Sequence, residues 1–139
     1  MAIAAQHDVR LHEEELSVEP TQLAEARRTV DAVLREWGYE QDLRSSALLC
    51  VAELLANVFQ HADSRKCTLC LESSPSCVRI VVSDGSSVMP QVREPDWHAE
   101  SGRGIWLVSE TADLWGATPR KDGAGKDVWL EFRSAEGAA

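Results

Sequence analysis

One long stretch of regularly spaced apolar residues constrains the fold more than any other feature. Between residues 42 and 62, apolar side chains recur every three or four positions over about five turns, which predicts an amphipathic α-helix. These positions are Leu43, Ala47, Leu48, Val51, Leu54, Leu55, Val58 and Phe59. An apolar stripe of this length must pack against another layer of structure, so the rest of the chain has to supply that layer.

Shorter patterns on both sides of this helix predict the other elements. Pro20 begins an earlier helical pattern that stops at Gly38. Alternating residues predict a hairpin of two strands at 66–72 and 77–84 and a final strand at 127–132. A short edge strand is expected within residues 8–18, and a third helix is expected from residue 104 to a stop at Gly116.

This order of elements predicts an α+β fold with two layers, in which the helices lie on one face of a mixed, mostly antiparallel sheet. At 139 residues the chain fits one domain, with a core at about 20–132 between a flexible N-terminal segment and a flexible C-terminal tail. Residues 84–103 form a long connection with two Gly and two Pro residues. Loops of this length in compact domains are often functional.

Charge and cysteine content limit the possible partners and the compartment. The net charge of −9, without any basic cluster, argues against direct binding of nucleic acid. No segment approaches the ~18 apolar residues of a membrane span, so we expect no membrane insertion and a cytoplasmic location. Four cysteines would then be free thiols. A zinc site from Cys67, Cys70, Cys77 and His61 is the alternative, but strand alternation would turn Cys67 and Cys70 to opposite faces.

Three polar residues lie on one ridge of the long helix. Glu53, Asn57 and His61 are spaced by four, next to the apolar stripe. An exposed helix face would explain them simply, but Asn is a poor residue for a helix interior, and half-buried polar groups need partners. A magnesium ion with phosphates would provide such partners, with Asn57 as an oxygen ligand and Glu53 as a general base.

Two further polar sites follow along the chain. Asp84 and Gly85 end a predicted strand, where they form either a simple turn or a site in which the carboxylate accepts a hydrogen bond from the exocyclic amine of adenine. Gly102 and Gly104 precede the third helix with Arg103 between them. They form either a flexible loop end or a phosphate site, since backbone amides and a helix N-terminus favour anions.

Taken in order, these segments resemble the histidine-kinase-like ATPases of the Bergerat (GHKL) fold, and among them the small bacterial branch that contains the anti-sigma factor serine/threonine kinases. VAELLANVFQHA at 51–62 is similar to their N box, and VVSDGS is similar to the first glycine box. SGRGIWLVSETADLWG at 101–116 is similar to the second glycine box, and KDVWLEF to their closing strand. The resemblance spans roughly residues 20–132 and implies a Bergerat ATP-binding fold.

The resemblance implies a role for each matching residue. Asn57 would bind Mg²⁺ and Glu53 would be the catalytic base, while Asp84 would bind the adenine of ATP. Residues 86–101 would form the ATP lid. The nucleotide-contacting set implied by the resemblance also includes His61, Gly85, Gly102, Arg103 and Gly104. A purely structural role for His61 stays open.

The same resemblance implies an ATP-dependent protein serine/threonine kinase that phosphorylates a STAS-type anti-sigma antagonist and sequesters a sigma factor, with a possible homodimer. Two departures leave alternatives. Ser86 and Ser87 replace further glycine in the first glycine box, which predicts a shorter and stiffer lid hinge. Many relatives have a hydroxyl residue in the closing strand, whereas here Asp127 follows Lys126, which predicts a second carboxylate near Asp84 and weaker nucleotide binding.

Those departures favour a non-catalytic ATP-binding switch as a second hypothesis. A third hypothesis is a plain interaction domain, in which Trp97 and Trp106 fill the pocket or anchor a partner. The simpler interpretation of Trp106, Trp115 and Trp129 is ordinary core packing.

Overall fold

The computed structural model describes residues 9–61, 64–92, 104–121 and 123–133. Within these ranges the chain forms five strands and three helices. In chain order they are β1 (Arg10–Ser17), α1 (Pro20–Glu36), α2 (Gln41–His61), β2 (Lys66–Ser73), β3 (Cys77–Asp84), α3 (Gly104–Thr111), β4 (Leu114–Pro119) and β5 (Lys126–Arg133). The predicted first two helices, the hairpin and the last strand are confirmed, with shifts of one or two residues at their ends.

The strands form one sheet in the order β1-β2-β3-β5-β4, so β1 and β4 are its edges. Every neighbouring pair of these described strands is antiparallel, where the sequence predicted a mostly antiparallel, mixed sheet. The helices pack on one side: α1 contacts β1 and α2, α2 contacts β3 and α3, and α3 contacts β4. This arrangement confirms the predicted two-layer α+β fold.

The core lies between the helices and one face of the sheet. Alternate residues of β2, β3 and β5 are buried there, as the two-residue period of a strand requires. The buried apolar side chains of α2 are Ala47, Cys50, Val51, Leu54, Leu55 and Val58, and Leu43 and Leu48 pack partly against the core, which confirms most of the stripe read from the sequence. Phe59 is the exception, because 46% of its surface is exposed and the Arg65 guanidinium lies 4.7 Å from its ring centroid. Each fully buried Leu or Val side chain contributes about 1.5–3 kcal/mol relative to an exposed one.

Local chemistry sets the limits of α1 and ties α2 to α1. Pro20 takes the first helical turn, and Gly38 follows the helix end with φ +93°, a conformation that favours glycine. Arg44 of α2 then fixes the connection, since its Nε donates to Asp31 of α1 at 2.9 Å and its guanidinium also donates to the Tyr39 carbonyl at 2.8 Å.

The predicted helix from residue 104 to Gly116 is wrong at its C-terminal end. It stops at Thr111, and the next residues form β4. The cause lies far away in sequence: Asp113 N–H donates to the Glu131 carbonyl at 3.0 Å, and the Asp113 carboxylate accepts from Arg133 N–H at 2.6 Å. Pairing with β5 therefore ends the helix, and no local pattern reveals this.

The second face of the sheet, which we call the outer face, carries the residues that alternate with the core. On β3 and β5 they are Arg79, Val81, Ser83, Asp127, Trp129 and Glu131. The prediction that Trp129 packs in the core is therefore wrong. Trp115, in contrast, packs against the core as predicted. None of the helices in the described part of the chain combines the length and apolarity that a membrane crossing needs.

Candidate functional site

Glu53 and Asn57 lie on one ridge of α2, as the spacing predicted. Both are half-buried, and each directly precedes a buried residue, Leu54 or Val58. The Glu53 carboxylate is near Cys50 and adds to the effect of burial, which together raise the pKa of that thiol to about 12. His61 is the last residue of α2, but its side chain lies outside the described part of the structure.

The predicted phosphate site is described only at one residue. Gly104 begins α3 with φ +31°, and α3 packs against α2, the helix that holds Glu53 and Asn57. The start of α3 and the polar ridge therefore belong to neighbouring helices. Gly102 and Arg103 lie outside the described residues, as does the predicted lid from residue 93 to 101.

Asp84 is the last residue of β3 and lies on the core face of the sheet, where only 3% of its surface is exposed. Its Oδ1 accepts a hydrogen bond from Ser86 N–H at 2.8 Å. Ser86 is itself buried, and its Oγ accepts from Val88 N–H at 3.1 Å. The first residues of the chain that leaves β3, where the predicted lid begins, are thus anchored to the Asp84 carboxylate.

Lys126 completes this site and was not among the predicted site residues. It is 0% exposed, and its Nζ donates to both carboxylate oxygens of Asp84 at 3.1 Å and to the Ser86 carbonyl at 3.4 Å. One sequence signal could have found it. Every second residue of β5 faces the core, namely Val128, Leu130 and Phe132, and Lys126 lies two residues before Val128 and so faces the core as well.

The expectation that Asp127 places a second carboxylate near Asp84 is wrong. The register of β3 and β5 pairs Asp84 with Lys126 and Ser83 with Asp127. Asp127 therefore lies on the outer face, where it accepts a hydrogen bond from Ser83 Oγ at 2.6 Å. A shift of one residue reverses the face of a strand side chain, so Asp84 meets a cation instead of a second anion.

Gly125 holds the Asp84 and Lys126 backbones together. Its φ of +143° favours glycine, and a Cβ at this position would collide with the Asp84 carbonyl oxygen and lie 3.0 Å from the Gly85 Cα. This close approach brings β5 alongside the end of β3. The ion pair is therefore fixed by the backbone as well as by its own charges.

A comparison with known protein families identifies the family of this chain. The sequence model of the histidine kinase-like ATPase domain matches residues 16–132. The chain belongs to this family. Among curated proteins, no sequence matches the chain significantly.

Membership in the histidine kinase-like ATPase domain family implies an ATP site, and the residues fit one in part. The Asn57 carboxamide oxygen is of the hard type that Mg²⁺ prefers, and it lies on the helix that packs against α3. The residue expected to bind the adenine ring, Asp84, is not a lone carboxylate, because it already has a cationic partner in Lys126. In this histidine kinase-like ATPase domain, Glu53 and Asn57 thus lie on one ridge as expected, whereas Asp84, the residue expected to bind the nucleotide base, is paired with Lys126; we call the expected position of the nucleotide base beside Asp84 the base subsite.

The cysteines of this histidine kinase-like ATPase domain are free thiols. Cys67 is buried opposite Asp84, whereas Cys70 lies on the outer face, so these two thiols cannot bind one zinc ion together. Among the described residues there is no group of three or more potential metal-ligating His, Cys, Asp or Glu side chains. Burial raises the pKa of the Cys67 thiol to about 11, and the Asp84 charge adds to this shift.

Proposed function

We propose that this histidine kinase-like ATPase domain binds Mg-ATP and transfers the γ-phosphate to a serine or threonine of a partner protein. The observation that carries the proposal is the half-buried ridge of Glu53 and Asn57 on α2, within a chain that matches the family over residues 16–132. This ridge lies on α2, the helix that packs against α3, and α3 begins at Gly104, the one described residue of the predicted phosphate site.

In the proposed reaction, Glu53 accepts the proton of the substrate hydroxyl while that oxygen attacks the γ-phosphorus and ADP leaves. Asn57 holds Mg²⁺, which neutralises charge on the phosphates when it is bound. Gly104, at the N-terminus of α3, and the preceding Gly102 and Arg103 hold the phosphates. The protein mainly positions the reactants and stabilises charge, which is the main requirement of phosphoryl transfer.

We propose partners on the basis of the resemblance to anti-sigma factor kinases. The phosphorylated protein would be a STAS-type anti-sigma antagonist, and the sequestered protein would be a sigma factor. A homodimer in the bacterial cytoplasm would be the working form. The net charge of −9 supports protein partners over nucleic acid.

A second candidate is an ATP-binding switch without phosphoryl transfer. The buried pair of Asp84 and Lys126 favours it, since this pair ties the base subsite to Ser86, the first residue of the predicted lid. Val88, Met89 and Val92, which follow, expose apolar side chains that a partner could cover. In this case ATP would change partner affinity by changing the lid, without chemistry.

The first experiment is calorimetric titration with ATP, with and without Mg²⁺, followed by a phosphotransfer assay on a purified STAS-type antagonist. We expect saturable, Mg²⁺-dependent binding, with the Mg²⁺ dependence reduced in Asn57→Ala. Glu53→Gln should bind ATP but lose transfer, while the exposed Glu36→Gln should retain both.

Three results would count against parts of the proposal. Unchanged transfer by Glu53→Gln would remove Glu53 as the base. ATP binding without transfer by the wild type would favour the switch, which then requires an ATP-dependent affinity for the sigma factor. No binding at millimolar ATP would overturn the nucleotide site.

A further inference from the structure

We propose that Lys126 determines which purine this site accepts, so that the wild-type domain binds 6-oxo purine nucleotides as well as 6-amino purine nucleotides. The inference rests on the proposed function, because it assumes that a nucleotide binds with its base at Asp84. It goes beyond that function by assigning base selectivity to a lysine. The argument starts from the hydrogen bonds that Asp84 already makes.

The Asp84 carboxylate has little capacity left for a ligand. A carboxylate offers about four acceptor positions on its two oxygens. Ser86 N–H and Lys126 Nζ occupy Oδ1, and Lys126 Nζ also occupies Oδ2. One position on Oδ2 remains for an exocyclic amine, and the side chains of Asp84 and Lys126 are each only 1% exposed.

Pairing also weakens the attraction of Asp84 for an amine. A hydrogen bond to an ionised acceptor is about twice as strong as a neutral one. Here the ammonium of Lys126, at 3.1 Å, balances the carboxylate charge in a buried environment where charges are poorly screened. The 6-amino group of adenine therefore gains less from Asp84 than it would from an unpaired carboxylate.

The pair also provides a donor, which a lone carboxylate lacks. Adenine presents an amine at position 6 and an acceptor at N1, whereas hypoxanthine presents a carbonyl at position 6 and an N–H at N1. With adenine, an Asp84 oxygen can accept from the amine while a Lys126 N–H donates to N1. With hypoxanthine, a Lys126 N–H can donate to the carbonyl while an Asp84 oxygen accepts from the N1–H. Of the three hydrogen bonds that Lys126 Nζ donates, the one to the Ser86 carbonyl is the longest, at 3.4 Å. The N–H group in this weakest bond is therefore the easiest to redirect towards the carbonyl of a bound base.

The backbone keeps Lys126 at the base subsite in every state that preserves the sheet. Asp84 and Lys126 are direct partners in the β3–β5 register, and Gly125 packs against the Asp84 backbone. The ammonium therefore cannot leave without breaking β5 pairing or abandoning its counter-ion. The lysine therefore stays next to Asp84 in the paired sheet, where its ammonium can contact a base.

The test compares Mg-ATP, Mg-ITP and Mg-CTP as ligands of the full chain by calorimetry. ATP and ITP differ only at the purine edge, and CTP reports whether the base is read at all. We expect the Kd values for ATP and ITP to lie within about tenfold of each other, the range of a neutral hydrogen bond, and CTP to bind more weakly. Preference for ATP over ITP above about tenfold, or CTP binding as tight as ATP, would overturn the inference.

Two variants separate base selectivity from folding. Lys126→Met removes the donor and leaves an acceptor-only carboxylate, so the preference for ATP over ITP should rise at least about tenfold. The exposed Lys121→Met should keep the wild-type ratio. If Lys126→Met folds and its preference for ATP over ITP equals that of the wild type, the inference is overturned. If the variant does not fold, the wild-type affinities for ATP, ITP and CTP decide. Failure of every nucleotide to bind would overturn the nucleotide site itself, which distinguishes the two failures.

Discussion

The indole of Trp129 occupies the space that a side chain at Gly116 in the neighbouring strand would need. A Cβ at Gly116 would be only 2.5 Å from Trp129 Cζ2 and 2.8 Å from Cε2. The same ring supports the Arg79 guanidinium, 4.5 Å from its centroid, and Arg79 pairs with Glu131 at 2.8 Å. Gly116 thus makes room for an aromatic and charged cluster on the outer face of the sheet.

We predict that Gly116→Ala displaces the Trp129 ring and destabilises the domain by about 1–3 kcal/mol, the usual cost of overpacking. Urea denaturation measures this loss. Trp129→Leu in the same background should relieve the collision, so the double variant should lose less stability than the sum of the two single variants. Strict additivity would show that Gly116 and Trp129 do not interact in this way.

The Asp84 and Lys126 pair predicts a non-additive effect on stability. Asp84→Asn leaves a buried ammonium without its counter-ion, and Lys126→Met leaves a buried carboxylate alone. Each should lower the free energy of unfolding by about 3–5 kcal/mol, whereas Asp84→Asn/Lys126→Met should lose less than either single variant. Urea denaturation of the four proteins tests this, and a double variant less stable than both single variants would contradict it.

Asp127→Asn is the matched control for that experiment. Asp127 neighbours Lys126 in sequence but lies on the outer face with one hydrogen bond from Ser83, so its loss should cost only about 1 kcal/mol. The comparison also has a practical use. A binding defect in a single Asp84 variant would combine loss of the proposed nucleotide contact with loss of stability, and the double variant separates these two effects.

Two glycines in the β4–β5 connection should respond differently to alanine. Gly123 and Gly125 both have positive φ, +74° and +143°, but a Cβ would meet no other atom within 4 Å at Gly123, whereas at Gly125 it would meet the backbone of Asp84 and Gly85. Gly123→Ala should cost about 1 kcal/mol from conformation alone. Gly125→Ala should cost clearly more and weaken nucleotide binding, as measured by denaturation and calorimetry. Equal losses would exclude the collision as the cause.

Stability should fall in alkaline solution because of Cys67. Its pKa is raised from 9.0 to about 11 by burial and by Asp84. Above pH 9 the unfolded chain therefore loses the thiol proton while the folded chain keeps it, so the folded state loses stability as pH rises towards 11. For this thiol the loss over that range is on the order of 2 kcal/mol.

The comparison of wild type with Cys67→Ala tests that prediction, since other groups also titrate in alkaline solution. Urea denaturation between about pH 8 and about pH 10.5, which covers most of the expected window, should show a steeper decline for the wild type. Parallel declines would mean that Cys67 does not contribute.

The sequence predicted those parts of the fold that depend on local periodicity. The stripe of α2, the stop of α1 at Gly38 and the alternation of β2 and β3 all follow from residues close in the chain. The transition from α3 to β4 did not, because Leu114 and Trp115 continue a helical spacing, while the pairing that overrides it comes from β5. Long-range pairing is absent from any local window.

The site was predictable to the same extent. The positions of Glu53 and Asn57 on one ridge follow from helix geometry alone. The partner of Asp84 depends on the register between β3 and β5. With a register shifted by one residue, the anionic Asp127 would lie opposite Asp84 in place of the cationic Lys126. The alternation of β5 contained this information, but only the paired sheet connects it to Asp84.

The mutual dependence of Asp84 and Lys126 also restricts how such a site can evolve. A chain without this pair can reach the present arrangement by single substitutions only through a sequence in which one buried charge lacks its partner. Such an intermediate is either weakly folded or requires water to enter the sheet. We therefore expect the acid and the lysine to be inherited together, and to mark a lineage within the family more sharply than either residue alone.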